Sequence, residues 1–556
     1  MEIEIKIKRD PKAEPELRKV EDNSTIEDLL EEIQKELPYR IIAARRNNVT
    51  VPLTNVIDGP CEITLLDMRD PSANQIYQRS VIFLYLKAVF DVLGTNNVVV
   101  ANSLNKGIYT EIRTAAPVTM KEIHGVERRM KELYRLDLPI ERKVLERDEA
   151  IALLEKAGYS QRLRLVRNSP ELDTIPVYSI EGFYSFYYSF MVPSTGYIDL
   201  FELRKCRRGV VLRFPEPARP DVLPEYRDDV KLYNAFGEAT KWGQLMGIRY
   251  VEDLNDKIED GTYRQVIQTS EALHEKKIAQ FADMIARQGK RMILIAGPSS
   301  SGKTTFAQRL CTQLRVNGLS PLYMGTDDYF VERADTPKDE NGEPNFEDID
   351  AIDLELFNSN MNALLRGDEV DLPVFDFVTG TKQYGKRITR AQKGQPIVIE
   401  GIHGLNRTLT AGIPDDAKFK IYISPLTQLH IDDHNRIPTT DARMLRRIVR
   451  DYQFRGHTAQ STIRQWPKVR AGEDKNIFPF NGEADVLFNS VHIYELAVLK
   501  KYAEPLLMAI RPDEPEFCEA VRMLKFLKYF RTIEDDSIIV NNSIIREFIG
   551  GSVYVD

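Results

Sequence analysis

One segment of the sequence has the residue types and spacing needed to hold a phosphate group. It reads GPSSSGKTT, satisfies the pattern GxxxxGK[ST], follows the apolar segment 292–296 and precedes a segment with helical periodicity. Its glycines let backbone N–H groups turn toward phosphate oxygens, and the helix start adds the positive end of its dipole. Lys303 could reach the β- and γ-phosphates of ATP, and the Thr304 hydroxyl could bind Mg²⁺. The predicted ATP-phosphate loop consists of Gly297, Pro298, Ser299, Ser300, Ser301, Gly302, Lys303, Thr304 and Thr305, and the alternative is a turn that binds nothing.

Two carboxylates follow segments that are predicted to be strands. Asp327 comes after residues 321–324, and Glu400 ends the apolar run 397–400. In an open parallel sheet, substrates bind at the carboxyl ends of the strands. Asp327 could therefore accept a proton from an attacking hydroxyl or bind Mg²⁺, and Glu400 could bind Mg²⁺. Each carboxylate could instead have a purely structural role. The Asp327-Asp328 pair could cap the next element, and Glu400 could be a solvated residue at the end of its strand.

Arginines are concentrated between residues 443 and 455. Arg446 and Arg450 share one face of a predicted helix, and Arg443 and Arg447 share another. Several guanidinium groups near a phosphate site are typical of a lid that closes on the transferring phosphoryl group. We therefore predict Arg446 and Arg450 as catalytic residues, with a solvated basic face as the alternative.

Histidines give two weaker signals. His430 and His434 have the spacing of metal ligands on a helix, but no Cys or further His lies near them in sequence, so a metal site is not favoured. His403 lies three residues after Glu400, on the predicted active edge. For His403, a structural role and a substrate contact are equally open.

Length and composition indicate a globular multidomain chain. The 556 residues predict three or four domains, and 42% hydrophobic with 29% charged residues is ordinary for such proteins. A net charge of −8 argues against an overall basic nucleic-acid binder but allows a local basic face. The four dispersed cysteines predict reduced thiols rather than a disulfide framework. No membrane or export signal is evident, so we expect a cytoplasmic protein without a membrane partner.

Residues 1–66 have the pattern of a small β-grasp module. Ile3, Ile5 and Ile7 alternate with charged residues, which is typical of a half-buried strand. A capping box from Ser24 to Glu27 then precedes an amphipathic helix. Short strands are predicted around residues 41, 49 and 63.

The remaining chain divides into four predicted parts. Residues 67–225 mix helices and strands and end in a proline-rich linker, and residues 226–290 read as a helical linker. Residues 291–510 alternate apolar strands with helices, which predicts a parallel sheet with helices on both faces. Residues 511–556 form a C-terminal extension. The predicted fold class is multidomain α/β, with a β-grasp domain, an α+β domain and a parallel-sheet domain.

The C-terminal motifs resemble the uridine kinase/phosphoribulokinase family of P-loop kinases. The resemblance runs from about Met292 to Leu507 and is carried by GPSSSGKTT, TDDYF at 326–330, IEG at 399–401, RRIVRD at 446–451 and ADV at 484–486. It implies ATP and Mg²⁺ as cofactors and Asp327 as the base toward a nucleoside 5′-hydroxyl. The implied Mg²⁺ ligands are Thr304, Asp327 and Glu400, and the implied phosphate contacts are Arg446, Arg447 and Arg450.

The same resemblance extends to the acceptor side. Residues 345–347 are similar to a ribose-side segment, and residues 373–377 are similar to a base-pocket strand. Gly380 stands where uridine kinases commonly have a His that reads the pyrimidine edge, so a bulkier base such as thymine, or a different acceptor, becomes a candidate beside uridine and cytidine. The implied substrate contacts are Tyr329, Phe346, Glu347, Phe375, Phe377, His403 and Arg447.

The N-terminal half resembles a second family. Residues 1–66 look like a TGS domain, and residues from about 70 to 225 are similar to the editing domain of threonyl-tRNA synthetases, on the segments 105–111, 138–142 and 192–196. That family builds its hydrolytic site from HxxxH and CxxxH, which fall here on Arg79 and Phe83 and on Tyr187 and Met191. Phe and Met cannot act as hard-metal ligands or bases, so we expect a binding or scaffolding role.

The motifs support three functional hypotheses. The leading one is an ATP-dependent kinase that phosphorylates the 5′-hydroxyl of a pyrimidine nucleoside. The alternative is a nucleotide-switched regulator that binds tRNA or the ribosome through residues 1–225. A tRNA-editing hydrolase is disfavoured by the four replaced residues. A homo-oligomer remains open.

Overall fold

The computed structural model of the protein describes residues 2–169, 172–338 and 342–555. Within these ranges, no helix combines the length and apolar character that crossing a membrane requires. The chain folds into a mixed N-terminal sheet, an α+β unit and a parallel-sheet unit. The predicted multidomain α/β class is thus confirmed.

The N-terminal unit is the predicted β-grasp arrangement of one helix on a mixed sheet. The strand order is β2-β1-β5-β3-β4, with β1 parallel to β5 and the other pairs antiparallel. Ile26, Leu30 and Ile33 of the helix pack against Ile5 and Ile7 of the sheet. The elements are β1 (Glu2–Lys8), β2 (Glu16–Glu21), α1 (Ile26–Ile33), β3 (Ile41–Arg46), β4 (Val49–Val51) and β5 (Glu62–Asp67).

The capping box of α1 lies one residue later than predicted. Thr25 and Asp28 form it, because the Asp28 N–H donates to the Thr25 hydroxyl at 3.1 Å and the Thr25 N–H donates to the Asp28 carboxylate at 2.7 Å. Ile26 thereby becomes the first helical residue and is fully buried. The helix therefore begins at Ile26 with Thr25 as its N-cap, since this start buries the apolar Ile26 side chain.

The second unit contains a buried helix between two antiparallel sheets. Val81 to Val89 of α2 are buried on every side, so this apolar run is a core helix. The sheets have the orders β10-β9-β8 and β11-β12-β7-β6. The elements are α2 (Pro71–Leu93), β6 (Val98–Leu104), β7 (Gly107–Ile112), α3 (Met120–Leu136), β8 (Glu141–Glu146), α4 (Arg147–Ala157), α5 (Ser160–Asn168), β9 (Thr174–Ile180), β10 (Phe183–Phe186), β11 (Glu202–Cys206) and β12 (Gly209–Arg213).

The helices that follow the proline-rich segment are part of the next core. They are α6 (Val230–Met246), α7 (Val251–Glu259) and α8 (Tyr263–Gln288). Ile278, Phe281 and Ile285 of α8 share one hydrophobic cluster with Phe306 and Leu310 of the parallel-sheet unit. The segment predicted as a helical linker is therefore packed into the core and does not act as a spacer.

A parallel sheet of strand order β14-β19-β13-β20-β21 organises the rest of the chain. Separate hydrophobic clusters cover its two faces. The elements are β13 (Met292–Ala296), α9 (Lys303–Val316), β14 (Leu322–Gly325), α10 (Leu354–Arg366), β15 (Glu369–Asp371), β16 (Val374–Asp376), β17 (Thr381–Gln383), β18 (Ile388–Arg390), β19 (Ile397–Glu400), β20 (Lys418–Ser424), α11 (Thr439–Arg455), α12 (Ala459–Asn476), β21 (Val486–Asn489) and α13 (Glu495–Met508).

The C-terminal extension folds back onto this unit. It contributes α14 (Phe517–Leu527) and α15 (Arg546–Ile549). Phe526, Ile544 and Phe548 are buried in the same cluster as the phosphate-loop helix. Residues 511–555 thus complete the parallel-sheet core.

The α+β unit is joined to the parallel-sheet unit by a buried ion pair. The Arg162 guanidinium donates to both Asp432 carboxylate oxygens at 2.9 Å, and the two side chains are 4% and 5% exposed. His434 lies 3.2 Å from the Ser185 hydroxyl in the same interface. The segment carrying His430 and His434 is not helical, so the two residues do not have the spacing on one helix face that a metal site there would need.

Candidate active site

The predicted phosphate loop connects β13 to α9 at the carboxyl edge of the sheet. A side chain at Gly297 would place its Cβ 2.1 Å from the Ile423 carbonyl oxygen, and Gly302 has φ +83°, so both positions require glycine. Lys303 begins α9 and donates from Nζ to the Pro298 carbonyl oxygen at 3.3 Å. The loop is therefore folded back over its own helix start.

Buried hydroxyls around the loop lack partners. Among the described residues, the hydroxyl oxygens of Ser300, Ser301 and Thr326 have no hydrogen-bond partner. An unpaired buried polar group costs about 1–3 kcal/mol. A ligand rich in hydrogen-bond acceptors would satisfy these hydroxyls, so they fit the phosphate groups that the motif predicts.

The two predicted carboxylates meet at this edge. β14 and β19 are parallel neighbours, with Gly325 opposite Glu400. The Thr304 hydroxyl donates to the Glu400 carboxylate at 3.0 Å. Burial raises the pKa of Glu400 to about 7, although Lys303 opposes the shift. Asp327 also has a raised pKa, because desolvation in the cleft exceeds the opposing effect of Lys303.

These groups could hold a divalent cation only together with a ligand. No group of three or more His, Cys, Asp or Glu that could hold a metal occurs within the described ranges. Mg²⁺ usually takes one or two carboxylates and completes its shell with water and nucleotide phosphates. Thr304, Asp327 and Glu400 fit that pattern, because all three supply oxygen ligands at this edge and the Thr304 and Glu400 oxygens already lie 3.0 Å apart.

Two arginines of α11 donate hydrogen bonds to backbone carbonyl oxygens of the phosphate loop. Arg443 donates to the Ser299 carbonyl oxygen at 3.0 Å, and Arg446 donates to the Ser300 carbonyl oxygen at 3.2 Å. Arg446 is fully buried and is also bound to the Glu495 carboxylate at 2.6 Å. The predicted catalytic lid role of Arg446 is therefore not what the geometry supports. Its turn of α11 faces the core, where it fixes the loop in place.

The next turns of α11 do face the cleft. Arg447 donates to the Ser299 hydroxyl at 2.7 Å. Arg447, Arg450 and Arg455 all lie within 4.0 Å of the buried Asp451 carboxylate. The positive charge of Arg455 partly opposes the rise in the pKa of Asp327 that desolvation causes. Sequence reasoning missed Arg455 as a site residue, although its spacing from Asp451 was visible.

Glu347 reaches the cleft from the opposite wall. Its backbone carbonyl accepts from the Asn476 amide of α12 at 2.6 Å. Burial raises the pKa of Glu347, and the negative charge of Glu473 raises it further. The positive charges of Lys303 and Arg447 oppose this rise. The predicted ribose-side carboxylate and the phosphate loop thus share one electrostatic environment.

An aromatic group forms the far end of the cleft. Phe330 lies 5.4 Å from Phe346 and 5.7 Å from Phe375 between ring centroids, and Phe375 lies 5.2 Å from Phe377. Phe377 is 57% exposed. The structure therefore brings together the aromatic residues predicted for the acceptor pocket.

Tyr329 does not belong to that pocket. It is 1% exposed and packs edge-on against Phe357 at 5.1 Å in the core beneath the sheet edge. The segment 326–329 forms a 3₁₀ turn, which sends Tyr329 inward while Asp327 stays accessible. The predicted substrate contact by Tyr329 is thus corrected to a core role.

Gly380 sits in a tight contact with Arg333. A Cβ at Gly380 would lie 2.7 Å from the Arg333 Cβ, and φ at Gly380 is +72°. The Arg333 N–H donates to the Gly380 carbonyl oxygen at 2.9 Å, and the Arg333 side chain bonds to the Phe377 carbonyl oxygen. This position cannot accept the histidine side chain common in uridine kinases without moving Arg333.

His403 is buried beside the ribose-side segment. It is 1% exposed, and neither ring nitrogen has a hydrogen-bond partner in the described part of the chain. Burial lowers the pKa of His403 to about 4, opposed by the nearby Asp348. His403 is consequently a neutral imidazole with two unused polar atoms next to the cleft.

The C-terminal extension supplies a contact that sequence reasoning missed. The Glu547 carboxylate accepts from the Thr305 hydroxyl at 2.8 Å and from the Thr305 N–H at 3.3 Å. A Cβ at Gly302 would lie 2.4 Å from Ile544. No local motif indicates this contact, because 242 residues separate Thr305 from Glu547 in the sequence.

The positions of the lost editing residues lie in a hydrophobic core. Phe83, Tyr187 and Met191 are 0–3% exposed, and the Phe83 and Tyr187 rings lie 6.1 Å apart. Arg79 donates to the Phe190 carbonyl oxygen at 3.0 Å. Burial raises the pKa of Tyr187 well above its usual range. The arrangement offers no base for hydrolysis at these four positions.

Comparison with known proteins gives two separate regions of similarity. Residues 292–497 match the model of the phosphoribulokinase/uridine kinase family. A uridine kinase from Leuconostoc citreum (strain KM20) is 29% identical over 175 residues, which cover 32% of this chain and 75% of that protein. The solved structure of a possible uridine kinase from Bacillus stearothermophilus is 23% identical with a TM-score of 0.25, covering 37% of this chain and 96% of the other.

The N-terminal region matches threonine–tRNA ligases. The enzyme from Maricaulis maris (strain MCS10) is 28% identical over 189 residues, which cover 34% of this chain but only 29% of that protein. The chain therefore spans less than a third of the length of these ligases. It joins a C-terminal phosphoribulokinase/uridine kinase family domain to a region similar to one part of threonine–tRNA ligases.

Proposed function

We propose that the protein transfers the γ-phosphoryl group of ATP to the 5′-hydroxyl of a nucleoside. The observation that carries the proposal is the meeting of Lys303, Asp327 and Glu400 at one edge of the parallel sheet, beside the unpartnered hydroxyls of the phosphate loop. The family match of residues 292–497 supports a phosphotransferase of small molecules.

Each residue has a role in this proposal that follows from its position. Lys303 and the loop N–H groups bind the β- and γ-phosphates, and Thr304 and Glu400 hold Mg²⁺, which neutralises phosphate charge when bound. Asp327 is the accessible carboxylate of the cleft and accepts the proton of the attacking hydroxyl. Arg447, Arg450 and Arg455 stabilise the charge of the transferring group.

The acceptor is proposed to be a pyrimidine nucleoside. The exposed Phe377 and its neighbours Phe346 and Phe375 offer aromatic faces for a base, and Glu347 offers a carboxylate for ribose hydroxyls. Gly380 leaves Arg333 at the rim in place of the usual histidine. Uridine, cytidine and thymidine are therefore the first acceptors to compare.

A panel of nucleosides tests this function. Each nucleoside is incubated with the full chain and MgATP, and ADP formation is measured together with the mass of the product. We expect a 5′-monophosphate from at least one pyrimidine nucleoside and no product without Mg²⁺. ADP formation without any phosphorylated nucleoside would contradict the proposal and indicate hydrolysis.

The second candidate function is a nucleotide-switched regulator that contacts tRNA or the ribosome. The buried Arg162–Asp432 pair favours it, because this pair ties the synthetase-like unit directly to the parallel-sheet unit. Binding of labelled tRNA or ribosomes to the full chain, measured with and without ATP, distinguishes the two. A regulator requires nucleotide-dependent affinity, whereas a kinase alone does not.

A further inference from the structure

Helix α12 contacts both walls of the candidate active site. Its Glu473 side chain is fully buried, and the carboxylate accepts a hydrogen bond from the Ser299 N–H of the phosphate loop at 3.0 Å. One turn further along the helix, the Asn476 side-chain amide donates to the Glu347 carbonyl oxygen of the ribose-side segment at 2.6 Å. The last turns of α12 therefore join the loop predicted to hold ATP to the wall predicted to hold the acceptor.

Two arginines fix the Glu473 carboxylate on the phosphate-loop side. Arg443 of α11 forms an ion pair with it and also donates to the Ser299 carbonyl oxygen at 3.0 Å. Arg470 of α12 lies 2.9 Å from the second carboxylate oxygen. Glu473 and Arg443 thus hold the N–H and the carbonyl oxygen of the same loop residue. The position of Ser299 consequently follows the position of α12.

The acceptor side of α12 is packed so closely that it leaves no room for a larger side chain. A Cβ at Gly472 would lie 2.9 Å from the Cβ of Glu347, a separation that Cβ atoms essentially never show. At the exposed edge of the same contact, the Lys475 ammonium lies 2.8 Å from the Asp348 carboxylate. A shift of the ribose-side segment toward α12 must therefore displace the helix as well.

The helix contains a point at which these last turns can move together. Pro467 lies inside α12 and lacks the N–H that would bond to the carbonyl oxygen four residues earlier. Around it, Ile463, Trp466 and Val469 anchor the helix in the large hydrophobic cluster. Residues 470–476, all of them within the described ranges, contribute no side chain to that cluster. The end of α12 is thus held mainly by its contacts with the two walls.

The carboxylate of Glu473 is suited to connecting the walls because it accepts from one N–H and two guanidinium groups at once. Hydrogen bonds between ionised groups are roughly twice as strong as those between neutral groups. A glutamine side chain would keep one acceptor oxygen, but it would leave Arg443 and Arg470 without their counter-charge. The loop contact and the ion pairs would then no longer act as one unit.

We propose that Glu473 is a positioning residue that couples the two substrate sites, so that acceptor binding and ATP binding strengthen each other. The inference rests on the proposed function, because it assigns the phosphate loop to ATP and the Glu347 wall to the acceptor. Since α12 fixes the shape of both walls, each ligand favours the arrangement in which the helix contacts both. Two ligands that favour the same arrangement bind with positive coupling, and the coupling is reciprocal.

The coupling is measured in the full chain with the β,γ-imido analogue of ATP and Mg²⁺. The Kd of the analogue is determined by calorimetry without nucleoside and with saturating uridine, cytidine or thymidine. We expect the best acceptor among the three to tighten binding of the analogue about fivefold or more. The analogue should tighten binding of that nucleoside by the same factor.

Two variants break the connection at opposite ends. Glu473→Gln acts on the loop side, and Gly472→Ala acts on the acceptor side, where the added Cβ displaces Glu347 although alanine favours the helix. In both variants the coupling factor should fall below about twofold. One matched control is Asp474→Asn, at the neighbouring position of α12, where the side chain is 55% exposed. The other is Gly237→Ala on α6, where the Cβ would meet nothing within 4 Å. Both controls should keep the parent coupling.

The outcomes separate this inference from the proposed function. If neither the analogue nor any of the nucleosides binds the parent chain, the proposed function fails and the inference fails with it. If both ligands bind without coupling, or if either variant keeps the parent coupling, the inference is overturned and the proposed function stands. A lower Tm of Glu473→Gln with unchanged coupling would leave Glu473 a structural role only. Should Glu473→Gln fail to fold, Gly472→Ala decides alone.

Discussion

The carboxylate of Glu547 bonds both the hydroxyl and the backbone N–H of Thr305, at 2.8 and 3.3 Å. Thr305 directly follows the predicted Mg²⁺ ligand Thr304 in the first turn of α9. The C-terminal extension thereby satisfies two donors at a helix start, where backbone N–H groups lack partners within the helix. The shape of the phosphate loop consequently depends on residues far away in sequence.

Glu547→Ala should weaken both folding and nucleotide binding. The substitution leaves the buried Thr305 hydroxyl and N–H unpaired, which costs about 1–3 kcal/mol. We expect a lower Tm and a raised KM for ATP, while Glu547→Gln, which keeps an acceptor oxygen, retains most of both. The exposed Glu534→Gln serves as a control. An unchanged Tm and KM in Glu547→Ala would show that this contact does not support the loop.

Lys303→Ala should abolish phosphoryl transfer and leave the fold intact. Lys303 is part of the loop itself, with its Nζ 3.3 Å from the Pro298 carbonyl oxygen, and removal of such a transition-state contact typically costs about 10²–10⁴ in rate. Turnover is measured with the most active nucleoside, and the fold is checked by circular dichroism. The matched control is Lys276→Ala, at an exposed position of α8. A kcat close to that of the parent chain would reject the assignment of the loop.

Asp327→Asn should still bind ATP but transfer poorly. The carboxylate is proposed to act on the acceptor hydroxyl, and loss of a general base typically costs about 10²–10⁴-fold. ATP affinity is measured by calorimetry and transfer by product mass. The exposed Asp416→Asn is a charge-matched control. If ATP affinity collapsed while bound ATP turned over normally, Asp327 would have a nucleotide-binding role instead.

Activation by Mg²⁺ should become stronger as the pH rises from 6 to 8. Burial raises the pKa of Glu400 to about 7, with Lys303 opposing the shift and Asp327 adding to it. The cation needs the ionised carboxylate, so protonation below pH 7 competes with it. The half-activating Mg²⁺ concentration is measured at each pH, and Glu400→Gln should remove this pH dependence. An identical pH dependence in Glu400→Gln would assign the titration to another group.

Ionisation of Glu400 should also lower the stability of the ligand-free chain as the pH rises, although it favours Mg²⁺ binding. A carboxyl whose folded pKa is raised stabilises the ligand-free fold fully below its unfolded pKa, about 4.3, and this contribution is lost as the pH rises through 7. The ligand-free Tm of the parent chain should therefore fall, relative to that of Glu400→Gln, between about pH 4.3 and pH 7. Parallel Tm profiles of the two chains would contradict the shift.

The sequence predicts those parts of the site whose signals are local. GxxxxGK[ST] fixes the loop, and apolar runs that end in Asp327 or Glu400 place both carboxylates at one edge of a parallel sheet. The prediction that Tyr329 contacts the substrate is wrong, because a short 3₁₀ turn sets the direction of its side chain and no periodicity in the sequence indicates that turn. The sequence also predicts Arg446 as a lid residue, which is wrong because the pattern of a helix face does not show that Glu495 covers it.

Longer-range features could not be predicted from the sequence. Glu547 has no spacing rule that links it to Thr305, and packing of the extension alone brings them together. The groups that bind the Glu473 carboxylate come from the phosphate loop, α11 and α12, so they form a cluster only after folding. Contacts of this kind depend on tertiary packing rather than on local residue preference.

The full chain should not deacylate Ser-tRNA(Thr), despite its similarity to part of threonine–tRNA ligases. Phe83 and Met191 are buried and offer no useful proton acceptor, and burial raises the pKa of Tyr187 well above its usual range. Arg79 stays protonated near neutral pH and is bound to the Phe190 carbonyl oxygen. The tRNA could still bind, because phosphate contacts do not need these four side chains. Release of serine is followed at pH 7 beside a buffer blank. Deacylation above the blank that a substitution in residues 67–225 abolishes would reveal a hydrolytic site elsewhere in this unit.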